Sequence, residues 1–164
     1  MTDVVLYSGG VESTYCMLKS PVDALCMMFD YGQPYAKEER EVVLANARRL
    51  LTIHKASWFT DKEHQSMSWP FRNELMVVNA VRVLRATRIW FGCRAPLLLF
   101  DNHHDANRQF CNRLEKDIGI EIVTPALMLP EFVSKRRIAR LDPTVRTFSS
   151  KGYKRDGFVA GLQG

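Results

Sequence analysis

The chain has 164 residues, of which 46% are hydrophobic and 25% are charged. This length suits one domain with a real core, and we take residues 1–164 as that domain. No apolar run approaches the ~20 residues that a membrane helix requires, and the N-terminus lacks the pattern of a signal peptide. We therefore expect a cytoplasmic protein without membrane contact. The formal charge of +5 suits an anionic ligand, and the scattered basic residues give no strong evidence for direct nucleic-acid binding.

Strand-like and helix-like segments alternate along the chain. Short β-branched runs predict strands, and apolar residues at helical spacing predict helices. The predicted strands are residues 4–7, 22–29, 52–58, 88–92 and 121–125. The predicted helices are residues 12–19, 37–51, 72–86, 105–118 and 134–141, the last capped by Ser134.

This alternation predicts βαβ units. The expected fold is therefore α/β and Rossmann-like, with a five-stranded parallel sheet flanked by helices on both faces. Ligands of such sheets bind beyond the carboxyl ends of the strands. We therefore expect the functional residues to lie just after the strands.

The sequence between the first strand and the first helix is Ser8-Gly9-Gly10-Val11-Glu12-Ser13. Glycines let the backbone approach a phosphate and adopt positive φ angles. The helix that follows directs its free N–H groups and its positive dipole end toward the same place. Ser8 and Ser13 offer hydroxyl groups, and the Glu12 carboxylate suits Mg²⁺. The alternative is a tight strand-to-helix turn with a serine cap.

The run from Val4 to Thr14 resembles the PP-loop, SGGxDS, of the ATP pyrophosphatase superfamily. The rest of the chain resembles one branch of that superfamily, the 7-cyano-7-deazaguanine synthase family (QueC or ExsB). The matching segments are FDYGQ at 29–33, Lys37-Glu38, Arg72-Asn73, the strand ending in Gly92, Asp105 with Phe110, Pro125 with Ser134-Lys135 and Ile138, and Gly157-Phe158 with Ala160-Gly161. The resemblance implies an adenine nucleotide alpha hydrolase (HUP) type of fold and, as in the family, a homodimer.

The resemblance also implies an activity. Members of the family are ATP-dependent C–N ligases that adenylate the carboxylate of 7-carboxy-7-deazaguanine. Ammonia then attacks to give an amide, and a second activation dehydrates the amide to the nitrile. The implied cofactors are ATP and Mg²⁺, and the product serves queuosine in tRNA or deazaguanine modification of phage DNA.

The resemblance assigns roles to individual residues. Those implied to bind ATP and its phosphates are Ser8, Gly9, Gly10, Val11, Glu12, Ser13, Asp30, Tyr31, Gly32, Gln33 and Lys135. Those implied in catalysis are Lys135, Glu12 and Asp30. Those implied to bind the substrate are Arg72, Asn73, Gly92, Asp101 and Asp105. Each has a simpler interpretation: Asp30 as a turn residue, Lys135 as a surface lysine, and Arg72-Asn73 as the start of a helix.

The chain departs from the family at two places. Glu12 replaces the aspartate of the PP-loop, which keeps the charge but adds a methylene. The family also holds a structural zinc with four cysteines near the C-terminus, whereas residues 147–158 contain none. We therefore expect no zinc, and its contribution to folding to come from a partner or from packing of Phe148 and Tyr153. The four cysteines show no CxxC spacing and are predicted to act as small hydrophobic residues.

These departures leave other functions open. The fold could be retained as a catalytically inactive module, viral or not, that binds a nucleotide or a protein. The chain could also be another PP-loop adenylating enzyme with a different substrate, although thiolation usually needs a reactive cysteine. His103 and His104 with Asp101 and Asp105 could suggest a metal site, but a polar loop before a helix explains them more simply.

Overall fold

The computed structural model describes residues 1–46, 51–55, 72–93 and 108–148, in which strands and helices alternate. The strands are β1 (Asp3–Leu6), β2 (Leu25–Asp30), β3 (Leu51–Lys55), β4 (Arg88–Phe91) and β5 (Glu121–Val123). The helices are α1 (Val11–Lys19), α2 (Ala36–Asn46), α3 (Arg72–Leu84), α4 (Arg108–Ile118) and α5 (Glu131–Leu141).

The strands form one parallel sheet in the order β3-β2-β1-β4-β5. One core lies between one face of the sheet and α1 and α2, and a second core lies between the other face and α3 and α4. The fold is therefore a single-domain, Rossmann-like α/β fold with five parallel strands and flanking helices, as the sequence predicts.

The central strand β1 shows why the sequence folds in this way. Val4 and Leu6 face the core under α3 and α4, whereas Val5 and Tyr7 face the core under α1 and α2. All four side chains are buried. Fully burying an aliphatic side chain contributes about 1.5–3 kcal/mol. An uninterrupted apolar run is therefore stable only as a strand covered on both sides.

Helix α5 packs on α1 rather than on the sheet. Val11 and Tyr15 of α1 form a small core with Ile138 of α5 and with Ala126, which precedes α5. Arg137 Nη1 also donates a hydrogen bond of 3.2 Å to the Tyr15 hydroxyl group. This packing brings α5 beside the helix that follows the glycine-rich segment.

Two predicted boundaries are wrong in an informative way. The predicted second strand starts at residue 22, but Val22 is 86% exposed and β2 starts at Leu25. A turn closed by Ala24 N donating to Pro21 O holds the chain away from the sheet there. The predicted second helix includes Leu51, which instead starts β3 and pairs with Cys26.

The predicted cap of the last helix is also wrong. Helix α5 starts at Glu131, directly after Pro130, whose φ is −57°. Proline suits a helix start because its φ is already fixed and no N–H is needed there. Ser134 therefore lies inside the helix, is 1% exposed, and its Oγ has no hydrogen-bond partner among the described residues.

Two smaller predictions concern single features of the chain. All four cysteines, which lie among the described residues, are buried and form no disulfide, as expected of small hydrophobic residues. Phe110 and Leu114 of α4 are core residues, which agrees with their helical spacing. Within the described ranges, no helix is both long enough and apolar enough to cross a bilayer.

Candidate functional site

The candidate site lies where the strand order reverses. Strand β1 pairs with β2 on one side and with β4 on the other. The chain leaves β1 for β2 over one face of the sheet and enters β4 over the other. In this class of fold, ligands usually bind in a crevice beyond the carboxyl ends of the strands at such a point, here those of β1 and β4.

The glycine loop, which we define as residues Ser8–Ser13, follows β1 at this crevice. Gly9 has a φ of 74°, a conformation that side chains disfavour. Ser13 Oγ accepts a hydrogen bond from Ser8 N at 3.3 Å, lies 3.2 Å from Ser8 Oγ, and donates to Gly10 O at 3.1 Å. The loop is therefore a closed turn with two hydroxyl groups held side by side.

Neighbouring elements press tightly on this loop. A Cβ atom on Gly9 would lie 3.0 Å from Cγ1 of Val42 in α2. A Cβ atom on Gly92 would lie 2.5 Å from Ser13 N and 2.7 Å from Ser13 Cα. Gly92 follows β4 and was predicted to bind the substrate. The structure shows a second reason for glycine there, since it lets β4 approach the first turn of α1.

Space remains at Gly10, which precedes α1. A Cβ atom there would lie 3.5 Å or more from every neighbouring atom. Among the described residues, no side chain caps the N-terminus of α1, so the serine-cap alternative is not what forms. The first N–H groups of a helix have no intrahelical partner. Together with the helix dipole they favour an anion at this position.

The turn after β2, residues Asp30–Gln33, lies at the same edge of the sheet. Asp30 Oδ1 accepts a hydrogen bond of 3.3 Å from Gly32 N, and Gly32 has a φ of 85°. Arg72 Nη1, at the start of α3, donates to the Tyr31 hydroxyl group at 3.3 Å. Asp30 thus acts as a turn residue, and Arg72 connects α3 to the turn.

The other predicted site residues are placed as follows. Lys135 lies in α5, and its Nζ is 3.1 Å from Glu131 Oε1. Asn73 is buried in the first turn of α3. Asp101 and Asp105, like His103 and His104, lie outside the described residues. Contact of any of these with phosphate or substrate stays a prediction.

Sequence reasoning missed two polar side chains on the buried face of α2. Asn46 Nδ2 donates to the Tyr7 hydroxyl group at 2.7 Å and to Arg146 O at 2.6 Å, and Arg146 N donates to Asn46 Oδ1 at 3.0 Å. Glu39 Oε2 accepts a hydrogen bond of 2.8 Å from Gln33 Nε2. Both residues lie three or four positions from Val42 and Val43 on the same helix face. Polar residues within an apolar stripe were the available signal.

The C-terminal end of the described chain joins the glycine loop. Phe148 N donates to Gly9 O at 2.7 Å, and Phe148 forms a single parallel bridge with Gly10. Its ring packs on Tyr35, with 5.7 Å between the ring centroids, and on Val42. Phe148 is therefore a packing residue, as expected for a chain without the zinc cysteines. Tyr153 lies outside the described residues.

The described residues contain no group of three or more potential metal ligands. Magnesium bound with nucleotide usually takes only one or two protein carboxylates, its other ligands being phosphate and water. Glu12, in the first turn of α1, suits that arrangement. Binding of Mg²⁺ at Glu12 stays a prediction.

Comparison with known proteins supports the fold. The chain is similar to the crystal structure of a predicted subunit of tRNA methyltransferase from Methanocaldococcus jannaschii, with a TM-score of 0.50 and 14% sequence identity. The match covers 85% of this chain and 76% of that one. No protein-family model and no curated protein sequence matches the chain. At this identity the likeness bears on the fold alone.

Proposed function

We propose that the chain binds ATP, with its phosphates at the glycine loop, and activates a small carboxylate substrate by adenylation. The observation that carries the proposal is the combination found at the loop. A positive-φ Gly9, an open position at Gly10 and the paired hydroxyl groups of Ser8 and Ser13 surround the uncapped N-terminus of α1. Backbone N–H groups and hydroxyl groups are what a pyrophosphate group needs.

The proposed substrate is 7-carboxy-7-deazaguanine, which rests on the sequence resemblance. Its carboxylate oxygen attacks the α-phosphorus of ATP, and pyrophosphate leaves. Ammonia then attacks the acyl adenylate, AMP leaves, and a proton is lost to give the amide. The amide oxygen then attacks the α-phosphorus of a second ATP, and pyrophosphate leaves. That oxygen departs with AMP, and the amide nitrogen loses both of its protons to give the nitrile. The protein's part is to hold the reactants in line and to stabilise charge that develops on the phosphates.

Within this proposal, Ser8, Ser13 and the backbone of the glycine loop bind the pyrophosphate. Lys135 is the proposed cation for the phosphates, and ATP would compete with Glu131 for it. Glu12 is the proposed ligand of Mg²⁺. Arg72 and Asp30 are proposed to contact the nucleotide or substrate from the side of β2.

The direct test compares the wild type with Gly10→Ala. The added methyl group makes only ordinary contacts with the protein but points toward the hydroxyl groups of Ser8 and Ser13. We expect at most a small decrease in melting temperature and ATP affinity at least 10-fold weaker, measured by calorimetric titration. Equal ATP affinity in the two proteins would show that phosphate does not bind at the loop.

The second candidate is a binding module that does not turn over. Glu12 at the position of the PP-loop aspartate favours this candidate, because the longer side chain displaces a carboxylate-bound metal. Pyrophosphate release is measured with ATP, Mg²⁺, 7-carboxy-7-deazaguanine and ammonia. ATP binding without release, in the wild type and in Glu12→Asp, supports the binding module. Release by the wild type supports the enzyme.

A further inference from the structure

Glu39 lies in α2, the helix that packs on the glycine loop, although no part of the proposed reaction uses it. It precedes Val42 and Val43 by three and four residues and so shares their face of α2. Val42 is the side chain that lies closest to Gly9. Glu39 is thus one turn nearer the start of α2, at the edge of the sheet where the glycine loop lies.

Glu39 is hydrogen-bonded to Gln33, at the end of the turn after β2. Gln33 Nε2 donates to Glu39 Oε2 at 2.8 Å and to Phe29 O at 3.0 Å, and Gln33 Oε1 accepts from Tyr31 N at 2.9 Å. Both amide protons and the amide oxygen of Gln33 are therefore engaged within the protein. Because Gln33 is only 6% exposed, losing the Glu39 contact would leave a buried donor unsatisfied and free the side chain to rotate.

The surroundings of Glu39 favour its neutral form. Burial raises the pKa of Glu39 to about 7, and the hydrogen bond from Gln33 and the charge of Arg72 oppose this rise. Asp30 of β2 and Glu38 of α2 raise the pKa further. The other titratable groups packed nearby are the hydroxyl groups of Tyr31 and Tyr35, which interact with each other, and the pKa of Tyr35 is raised mainly by burial.

We propose that Glu39 is a positioning residue, which accepts a hydrogen bond from Gln33 and so fixes the turn Asp30–Gln33 beside the bound nucleotide, and that nucleotide binding takes up a proton at Glu39. The proton uptake rests on the proposed function. It follows from placing a polyanion near an ionisable carboxyl group, because added negative charge favours the neutral carboxyl form. By linkage, ATP affinity falls as the pH rises and Glu39 ionises.

The first experiment measures ATP binding by calorimetric titration between pH 6 and pH 8 in buffers of different ionisation enthalpy. We expect the wild type to take up more protons than Glu39→Gln, in which the amide still accepts the bond from Gln33. The titration of ATP itself is common to both proteins and cancels in the comparison. The affinity of the wild type should fall several-fold across this range relative to that of Glu39→Gln. Equal proton uptake by the two proteins and parallel pH profiles would overturn the proposal that ATP binding adds a proton to Glu39.

The second experiment needs no ligand and measures hydrogen exchange at the Tyr31 amide group by NMR. Glu39→Ala should speed this exchange about 10-fold, whereas Glu39→Gln should restore it to near the wild-type rate. Glu41→Ala is the matched control, because Glu41 lies on the exposed side of the same helix. Exchange in Glu39→Ala as slow as in the wild type would overturn the positioning role.

The two experiments separate this proposal from the proposed function. If the wild type binds no ATP at pH 6, the proposed function fails and the proton uptake fails with it. Faster Tyr31 exchange in Glu39→Ala would still establish that Glu39 positions the turn. If ATP binds but Glu39→Ala binds it as tightly as Glu41→Ala does, the proposed function stands and the role of Glu39 in binding is refuted.

Discussion

The glycine loop and the turn Asp30–Gln33 lie at the same edge of the sheet but are built in opposite ways. The loop owes its shape to missing side chains, since Gly9 and Gly92 allow α1, α2 and β4 to meet. The turn owes its shape to polar side chains, because Gln33 connects Phe29, Tyr31 and Glu39 by hydrogen bonds.

This difference determines what each region responds to. A loop defined by close backbone contacts is sensitive to volume, so we expect a single added carbon atom to disturb it more than a change of pH does. A turn held through a partly buried carboxyl group tolerates small changes of volume but is sensitive to the charge of that group. The contrast therefore implies a phosphate-binding loop of fixed shape beside a turn whose neighbouring carboxyl group changes charge with pH.

The largest expected effect comes from Gly92→Ala, which tests the steric half of the contrast. The new Cβ atom would overlap Ser13 N and Cα and the Glu12 carbonyl carbon, all of which are backbone atoms that cannot rotate away. We expect a loss of about 3 kcal/mol in the free energy of unfolding, the upper part of the range for overpacking. Urea denaturation measures it.

Gly10→Ala is the control for this steric prediction, because its Cβ atom would contact neighbours at 3.5 Å or more. It should lose less than about 1 kcal/mol, a cost typical of a tolerated substitution. If both variants were equally stable, close packing would not be what shapes the loop.

Asn46→Ala tests whether the frame around the loop also depends on polar contacts. Asn46 is 3% exposed and connects α2 to Tyr7 and to the backbone of Arg146. Removing it leaves buried groups unsatisfied, so we expect a loss of about 2 kcal/mol, measured by thermal or urea unfolding. Asn79→Ala is the matched control, because among the described residues the Asn79 amide donates only to Leu75 O, within α3. Equal losses in the two variants would contradict a special role for Asn46.

The pH dependence of stability tests the role of Glu39 beside the turn Asp30–Gln33. The folded-state pKa of Glu39, about 7, lies above the value of 4.5 for an unperturbed glutamate, so the folded state holds this proton more tightly. The stabilisation is complete below pH ~4.5 and disappears as the pH rises through about 7. We expect a loss of about 2 kcal/mol between pH 5 and pH 8, since each pKa unit is worth about 1.4 kcal/mol.

Urea denaturation of the wild type and Glu39→Gln at these two pH values measures that loss. The variant cannot ionise at this position and should lose less stability with rising pH. Glu41→Gln should behave like the wild type. Identical pH profiles for the wild type and Glu39→Gln would show that Glu39 is already ionised in the folded protein.

The smallest effect on stability is expected for Lys135→Ala. Its ion pair with Glu131 is an i, i+4 contact on a partly exposed helix surface, and such pairs contribute about 0.5 kcal/mol or less. ATP affinity, in contrast, should fall about 10-fold if Lys135 binds phosphate. Arg136→Ala, an exposed neighbour, should change neither quantity. Unchanged ATP affinity in Lys135→Ala would show that Lys135 is a surface lysine without a role in ATP binding.

Much of the fold could be read from periodicity. The apolar run of β1 and the stripe of α4 required burial on particular faces, and the structure buries Val4, Val5, Phe110 and Leu114 accordingly. The ends of the elements were harder to predict, because a β-branched residue such as Val22 can occur in a strand or in the turn before it. A local hydrogen bond from Ala24 N to Pro21 O places Val22 in the turn.

The sequence by itself determined the alternation of strands and helices and the position of a glycine loop between the first strand and the first helix. Both are encoded by residues close together in the chain. Only the tertiary structure decided that Gly92 meets Ser13, that Asn46 meets Arg146 and that Glu39 holds Gln33 beside the loop. Gly92 meets Ser13, and Asn46 meets Arg146, across long stretches of chain. Glu39 is only six residues from Gln33, but its electrostatic surroundings also include Arg72 of α3 and Asp30 of β2. No local pattern specifies such contacts, because they depend on how the packed elements meet at the edge of the sheet.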